Sequence, residues 1–156
     1  MIKKTLNASV ISYAIKFSET LKKQAERTIL KNGITTQQWF ILLLLAKDPN
    51  IFYLQENKHD KDLMAKELAE ALNVSRANVT NLLTVLVEKK LVLQYEDKED
   101  KRRKRLKLTE QGESLLQIIE EPRVHYNNKL FAGIAKEDKD NFIAFVTHCL
   151  QVMKAE

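Results

Sequence analysis

A mainly α-helical fold carrying one small β-hairpin is what this sequence predicts, on three observations. Only three glycines and two prolines punctuate 156 residues, which favours long helices over a sheet with many tight turns. Apolar residues recur at spacings of three and four along most of the chain. Between Leu91 and Thr109 the pattern becomes alternating, with Leu91-Leu93-Tyr95 and Leu106-Leu108 flanking a loop packed with charge.

The elements follow in order. Residues 6–30 form one amphipathic helix on Leu6, Val10, Ala14, Phe17, Leu21, Ala25 and Thr28, ended by Gly33. A second helix starts at Thr35, with Gln38 three residues on in a capping-box pattern. Its run Trp39-Phe40-Ile41-Leu42-Leu43-Leu44-Leu45 is apolar nearly all round, so it is a buried central helix that Asp48-Pro49-Asn50 stops. Ile51-Phe52-Tyr53-Leu54 fits either a short strand or a helical extension, and a polar loop follows. Lys61–Leu72 reads as a helix on Leu63, Leu68, Ala69 and Leu72; Asn73-Val74 makes a tight turn, and Ser75 caps a helix over Arg76–Lys90. After the hairpin, Thr109 caps a long helix that Pro122 is expected to kink or interrupt before its pattern resumes to about Ile134. A final helix, Lys136–Glu156, carries Phe142, Phe145, Val146, Cys149 and Met153 on one stripe.

Composition narrows the function classes. Hydrophobic content of 44% with 30% charge fits a folded soluble chain and not a disordered one. The longest apolar run, Trp39–Ala46, is far short of the ~20 residues a membrane span needs. The first twenty residues hold three lysines but no sustained apolar core, so no signal peptide and a cytoplasmic location are expected. A single cysteine, Cys149, excludes an intrachain disulfide and, on an apolar stripe, reads as a packing thiol; a redox sensor needs an exposed thiolate. His59, His125 and His148 lie far apart, so no metal or cofactor is expected. No nucleotide loop, catalytic triad or carboxylate pair is visible, which argues against an enzyme.

Charge and spacing point instead to DNA. Residues 89–107 hold nine basic side chains against four acidic ones, a local balance equal to the whole chain's net charge of +5. A solvated edge that resists aggregation needs charge but not one sign of it; a phosphate-contacting wing needs one sign. Immediately before it, Leu63–Lys90 fits a helix–turn–helix. On a helical projection Val79, Leu82, Leu83 and Leu86 share one side; Ala77, Thr80, Asn81 and Thr84 take the other, with Arg76 and Asn78 flanking. An ordinary exposed face carries Glu and Lys, yet none occurs from Ser75 to Leu86. That small polar face suits base edges: Asn pairs with adenine, Arg with guanine, and Thr methyls touch thymine methyls. The fold class is therefore a winged helix–turn–helix.

The sequence then resembles the MarR (multiple antibiotic resistance regulator) family of winged-helix transcription factors over almost its whole length. The resemblance rests on ITTQQWFILLLLA, Leu68-Ala69, Val74-Ser75 with Val79-Thr80, Asp97, Asp100-Lys101-Arg102, and Leu108-Thr109-Glu110-Gln111-Gly112. Three departures stand out. Lys90 occupies a place where the family usually has Gly, Gln94 one where Arg is common, and Lys101 replaces the first Arg of Asp-Arg-Arg, keeping charge without the planar fork.

What the resemblance implies is an obligate homodimer. Residues 1–34 and 110–156 form its long dimerisation helices, and 35–109 form the winged helix–turn–helix, within one intertwined domain. The partner is double-stranded DNA, a pseudo-palindromic operator with half-sites ~10 bp apart. Ser75, Arg76, Asn78, Thr80, Asn81 and Thr84 would face the major groove, and Lys101 and Arg102 the minor groove. Lys98, Arg103 and Lys104 would touch phosphates; Asp97 and Asp100 would brace the wing. Many relatives release DNA on binding a small molecule, so a repressor with an aromatic or phenolic effector is expected, its pocket lined by Tyr13, Phe17, Trp39, Phe40 and Tyr126. Members that sense peroxide carry a cysteine on the first helix; this chain has none there. Two alternatives stay open: a winged-helix protein-interaction module and a non-specific architectural DNA binder.

Overall fold

Two threonines start the first two helices. In the computed structural model, which describes residues 3–155, the Thr5 hydroxyl accepts from the Ala8 amide at 3.2 Å and opens α1 (Leu6–Leu30). Residues 1, 2 and 156, at the outer ends of the two segments expected to dimerise, lie outside the described residues. Gly33, at φ +74°, turns the chain into α2 (Thr36–Leu45). There the Thr35 hydroxyl accepts from the Gln38 amide at 3.2 Å, and Gln38 Oε1 accepts from the Thr35 amide at 2.9 Å, a complete capping box. Trp39 and Ile41 to Leu44 are all buried, each aliphatic side chain contributing about 1.5–3 kcal/mol. As the central post of the core, α2 packs against α1 and the motif that follows.

The ambiguous stretch after Asp48 is helical: α3 (Phe52–Glu56) is a single short turn. The next expectation needs correction. The helix predicted from Lys61 begins only at Ala65, as α4 (Ala65–Leu72), and residues 61–64 are not helical. The Glu67 carboxylate accepts from the Met64 amide at 2.7 Å and fixes the helix start there. One residue earlier, the Leu63 carbonyl accepts from the Leu106 amide at 3.0 Å, so this segment runs beside the hairpin. Leu63 is a core residue, as its apolar character suggested, but from non-helical backbone.

Asn73 ends α4 in the left-handed region (φ +53°), and the Ser75 hydroxyl, accepting from the Asn78 amide at 3.2 Å, starts α5 (Arg76–Glu88). That helix stops two residues before the predicted Lys90, which itself sits at φ +58°. Strand β1 (Val92–Glu96) then pairs antiparallel with β2 (Lys104–Leu108), Val92 opposite Leu108 and Glu96 opposite Lys104. Burial does not follow the alternation predicted on Leu91-Leu93-Tyr95: within β1 only Val92 is buried, Tyr95 is half-buried, and Gln94 and Glu96 are exposed. Leu91 precedes β1 and is buried, Leu106 is buried on β2, and Leu93 is exposed. The left-handed turn at Lys90 tucks Leu91 under before the pleat begins.

Thr109 locks the far end of the hairpin. Its hydroxyl donates to the Lys90 carbonyl (2.6 Å) and accepts from the Gly112 amide (3.0 Å), while its own amide donates to the Leu91 carbonyl. So α6 (Glu110–Leu130) lies hard against Leu91; a Cβ on Gly112 would come within 2.2 Å of the Leu91 carbonyl oxygen. Pro122 does not interrupt this helix, which ends at Leu130 and not near Ile134. Finally, α7 spans Lys136–Ala155.

The chain forms two compact units, Met1–Glu121 and Pro122–Glu156. The first holds the buried core, in which α2, α4, α5 and the hairpin pack together. In the second, α7 fully buries none of its described side chains, so Phe142, Phe145 and Met153 are exposed. Cys149, expected to be a buried packing thiol, is only half-buried on that stripe. Of the expected α1 stripe, Leu6 and Phe17 are also exposed.

Two substitutions check this packing by chemical denaturation. Gly112→Ala must displace backbone and should cost about 1–3 kcal/mol. Lys90→Gly, relieving a left-handed Lys at the cost of a freer unfolded chain, should gain about 0.5–1 kcal/mol.

Candidate nucleic-acid interface

The helix–turn–helix presents α5 outward. Val79, Leu83 and Leu86 are buried, whereas Ser75, Arg76, Ala77, Asn78, Thr80, Asn81 and Thr84 are exposed. Both threonines spend their hydroxyl proton on the helix: Thr80 Oγ1 donates to the Arg76 carbonyl and Thr84 Oγ1 to the Thr80 carbonyl, each at 2.9 Å. Their oxygens can therefore only accept, and their methyls offer apolar contact. Side-chain donors on this face come from Ser75, whose oxygen accepts from the Asn78 amide while its proton stays available, and from Arg76, Asn78 and Asn81.

The hairpin tip turns without glycine or proline, around the Asp97 carboxylate. Asp97 Oδ1 accepts from the Glu99 amide (2.8 Å) and the Asp100 amide (3.1 Å), while Oδ2 pairs with Arg105 Nε. Asp97 and Arg105 are both buried, at 4% and 9% exposure, so each neutralises a charge that would otherwise be costly inside the fold. The hydrogen bond from Arg105, then those from the two amides, hold Asp97 well below the usual carboxylate range. Asp100 makes a second, more exposed centre. Its Oδ1 accepts from both the amide and Nε of Arg102 at 3.1 Å, and Arg103 Nε lies 3.5 Å from Oδ2. These bonds, led by that from the Arg102 side chain, also lower its pKa.

The nine basic groups of residues 89–107 thus do different work. Lys89 Nζ donates to the Gly33 carbonyl at the end of α1, Lys104 pairs with Glu96 at 2.9 Å, and Lys107 Nζ lies 5.5 Å from the centre of the Tyr95 ring. Lys98, Lys101, Arg102 and Arg103 are exposed at the tip, the Arg102 side chain at 92%. Such surface pairs are worth little, so Arg102 and Arg103 can exchange Asp100 for a phosphate at small cost.

Sequence reasoning missed three residues of this site. Arg105 was counted only as positive charge, although it is the buried partner of Asp97. Tyr95 OH donates to Asp62 Oδ2 at 2.7 Å, and Arg105 Nη1 donates to the Asp62 carbonyl at 2.5 Å. Nothing local announces these contacts, since Asp62 is 33 residues from Tyr95.

The aromatic residues divide. Trp39 is buried, its Nε1 donating to Glu120 Oε1 at 2.9 Å, and it meets Phe40 edge-on with ring centres 5.1 Å apart. Phe17 and Phe40 are partly exposed and Tyr13 is 80% exposed. Tyr126 belongs to the second unit and is exposed there. Among the described residues no helix is long and apolar enough to cross a membrane.

Helix, turn, outward-facing helix and basic hairpin together define a winged helix–turn–helix DNA-binding protein. Comparison with known proteins gives the family. A family model described as the MarR family matches residues 32–103. The HTH-type transcriptional regulator FarR of Neisseria gonorrhoeae is 31% identical over 115 residues, covering 74% of this chain and 70% of that one. The transcriptional activatory protein BadR of Rhodopseudomonas palustris is 24% identical over 135 residues, 86% of this chain and 72% of that one. The crystal structure of the Staphylococcus aureus MepR–DNA complex matches with a TM-score of 0.72 at 26% identity, over 91% of this chain and 95% of that one. This chain belongs to the MarR family and is a DNA-binding transcription regulator, not an enzyme.

The Asp97–Arg105 pair gives a pH test. Asp97 titrates below its ordinary 3.8 in the fold, so the carboxylate's contribution is complete above that value and drains away as pH falls towards the folded pKa. Wild type should be more stable than Asp97→Asn at pH 7, and the gap should close on acidification below about pH 4. A gap constant from pH 7 to 2.5, by thermal denaturation, would refute this.

Proposed function

We propose that this regulator acts as a homodimer on a pseudo-palindromic operator. The α5 helices read bases in successive major grooves while the hairpin tips reach the flanking minor grooves. The observation that carries this is the division of charge: from Ser75 to Leu86 the outward face of α5 holds no Lys or Glu, and the basic excess follows on the hairpin. Ser75, Arg76, Asn78, Thr80, Asn81 and Thr84 are the base-facing set. Lys101 and Arg102 enter the minor groove, and Lys98, Arg103 and Lys104 contact phosphates. Asp97 and Asp100 brace the tip. A solved relative bound to DNA supports the reading.

The dimer is supported by the apolar side chains left exposed on α1 and α7, including Leu6, Phe17, Phe142 and Phe145. A second copy would remove them from water. Residues 1–34 and 110–156 supply this dimerisation surface and 35–109 the DNA-binding part. The regulator represses, and a small aromatic or phenolic effector relieves it, contacting the α1 and α2 aromatics Tyr13, Phe17, Trp39 and Phe40. Such an effector acts only by binding one spacing of the two motifs better than the other. The name of one relative, a transcriptional activatory protein, favours activation as a second reading. A reporter driven by the native promoter separates the two, since deleting the regulator raises expression under repression and lowers it under activation.

Selection of bound duplexes from a random pool should return an inverted repeat. On that site Asn81→Ala or Arg76→Ala should cost about 1–3 kcal/mol and relax base preference. Arg103→Ala should weaken all sequences alike and flatten the salt dependence. Equal losses on cognate and random DNA for the α5 variants would refute base reading by this helix.

A further inference from the structure

We propose that Asp62, which lies outside both the recognition helix and the hairpin, is the positioning residue that sets the angle of the hairpin against α4 and α5. The inference rests on the reading above that the hairpin tip touches DNA.

Tyr95 and Arg105 are register partners, directly opposite one another on β1 and β2, so their side chains share one face of the hairpin. Both converge on the same residue. Tyr95 OH donates to Asp62 Oδ2 at 2.7 Å, and Arg105 Nη1 to the Asp62 carbonyl. Asp62 Oδ1 lies 3.6 Å from Lys47 Nζ, just beyond α2. The adjoining Leu63 carbonyl takes the Leu106 amide, and two residues later α4 begins. Asp62 thus joins both strands to the start of the first motif helix. Arg105 also carries the Asp97 carboxylate that shapes the tip.

A two-stranded ribbon alone is marginally stable and free to twist. Thr109 fixes its base; Asp62 fixes its middle. From Tyr95 to the tip is about five residues, ~15 Å of strand at ~3.3 Å per residue. A rotation of ~10° about Tyr95 would move the tip cations by ~3 Å, enough to lose a phosphate or groove contact. Lys61, paired with Glu99 at 2.6 Å, adds a second tie from the same segment, but between side chains that are largely exposed.

Tyr95→Phe deletes only the hydroxyl, Asp62→Ala removes the carboxylate that accepts from it and keeps the backbone carbonyl that takes Arg105, and Asp62→Asn restores a side-chain acceptor without charge. With the full-length protein and its selected operator, binding is measured against salt in wild type and in a Lys101→Ala/Arg102→Ala background. Tyr95→Phe and Asp62→Ala should weaken binding about three- to tenfold and make the salt slope shallower by about 1. Asp62→Asn should recover most of the loss. In the Lys101→Ala/Arg102→Ala background the further loss should be clearly smaller, because the residue acts through the tip cations and of these only Lys98 and Arg103 remain. Wild-type affinity and slope in both variants would overturn the inference. So would an equal loss with and without the tip cations, the signature of general destabilisation. If Lys101→Ala/Arg102→Ala itself binds as wild type does, the hairpin reading fails and this inference falls with it.

Discussion

A buried guanidinium needs a counter-charge, and the hairpin of this protein is organised around that requirement. Arg105 is enclosed, so an anion must sit beside it, and Asp97 supplies one from the opposite side of the turn. Once held there, the same carboxylate has a second oxygen to offer, and it collects two backbone amides of the tip. That is how a loop of seven residues, 97–103, closes without glycine or proline. The pair is worth little as raw stability, because desolvation consumes much of its attraction. Its value is geometric: it specifies one tip conformation where a run of like charges would repel itself into many.

The regulator consequently separates two jobs that DNA binding combines. Electrostatic attraction is concentrated on the hairpin, and the helix beside it presents amides, methyls and one guanidinium. Phosphate contacts position without carrying sequence information, whereas base-edge contacts specify. Keeping lysines away from the outward face of α5 prevents non-specific attraction from swamping small differences between base pairs. The core behind both is one structure, since α2 packs against α4, α5 and β2 alike.

The elements legible in the sequence were those determined by local chemistry. The capping box at Thr35 and Gln38, the tight turn at Asn73-Val74 and the cap at Ser75 each involve neighbours within a few residues, and each forms as the sequence indicates. Features set by distant partners were not legible. The apolar spacing of Leu63 and Leu68 suited a helix, but the Leu106 amide claims the Leu63 carbonyl and the Glu67 carboxylate starts α4 later. Arg105 looked like surface charge because one of the groups it donates to, the Asp62 carbonyl, lies 43 residues away. Gly112 was recognisable only as part of a weak motif; its physical reason, the Leu91 carbonyl pressed against α6, exists only in the folded chain.

The exposure of α5 has an evolutionary corollary. Val79, Leu83 and Leu86 hold the helix in the core, and none of Arg76, Ala77, Asn78, Thr80, Asn81 or Thr84 is buried. Substitutions on the outer side therefore leave packing almost untouched, within the few tenths of a kcal/mol typical of surface positions (about ±0.5). A duplicated copy of this gene could drift to a new target one side chain at a time, with every intermediate still folded. The scaffold would be inherited while the specificity is rewritten.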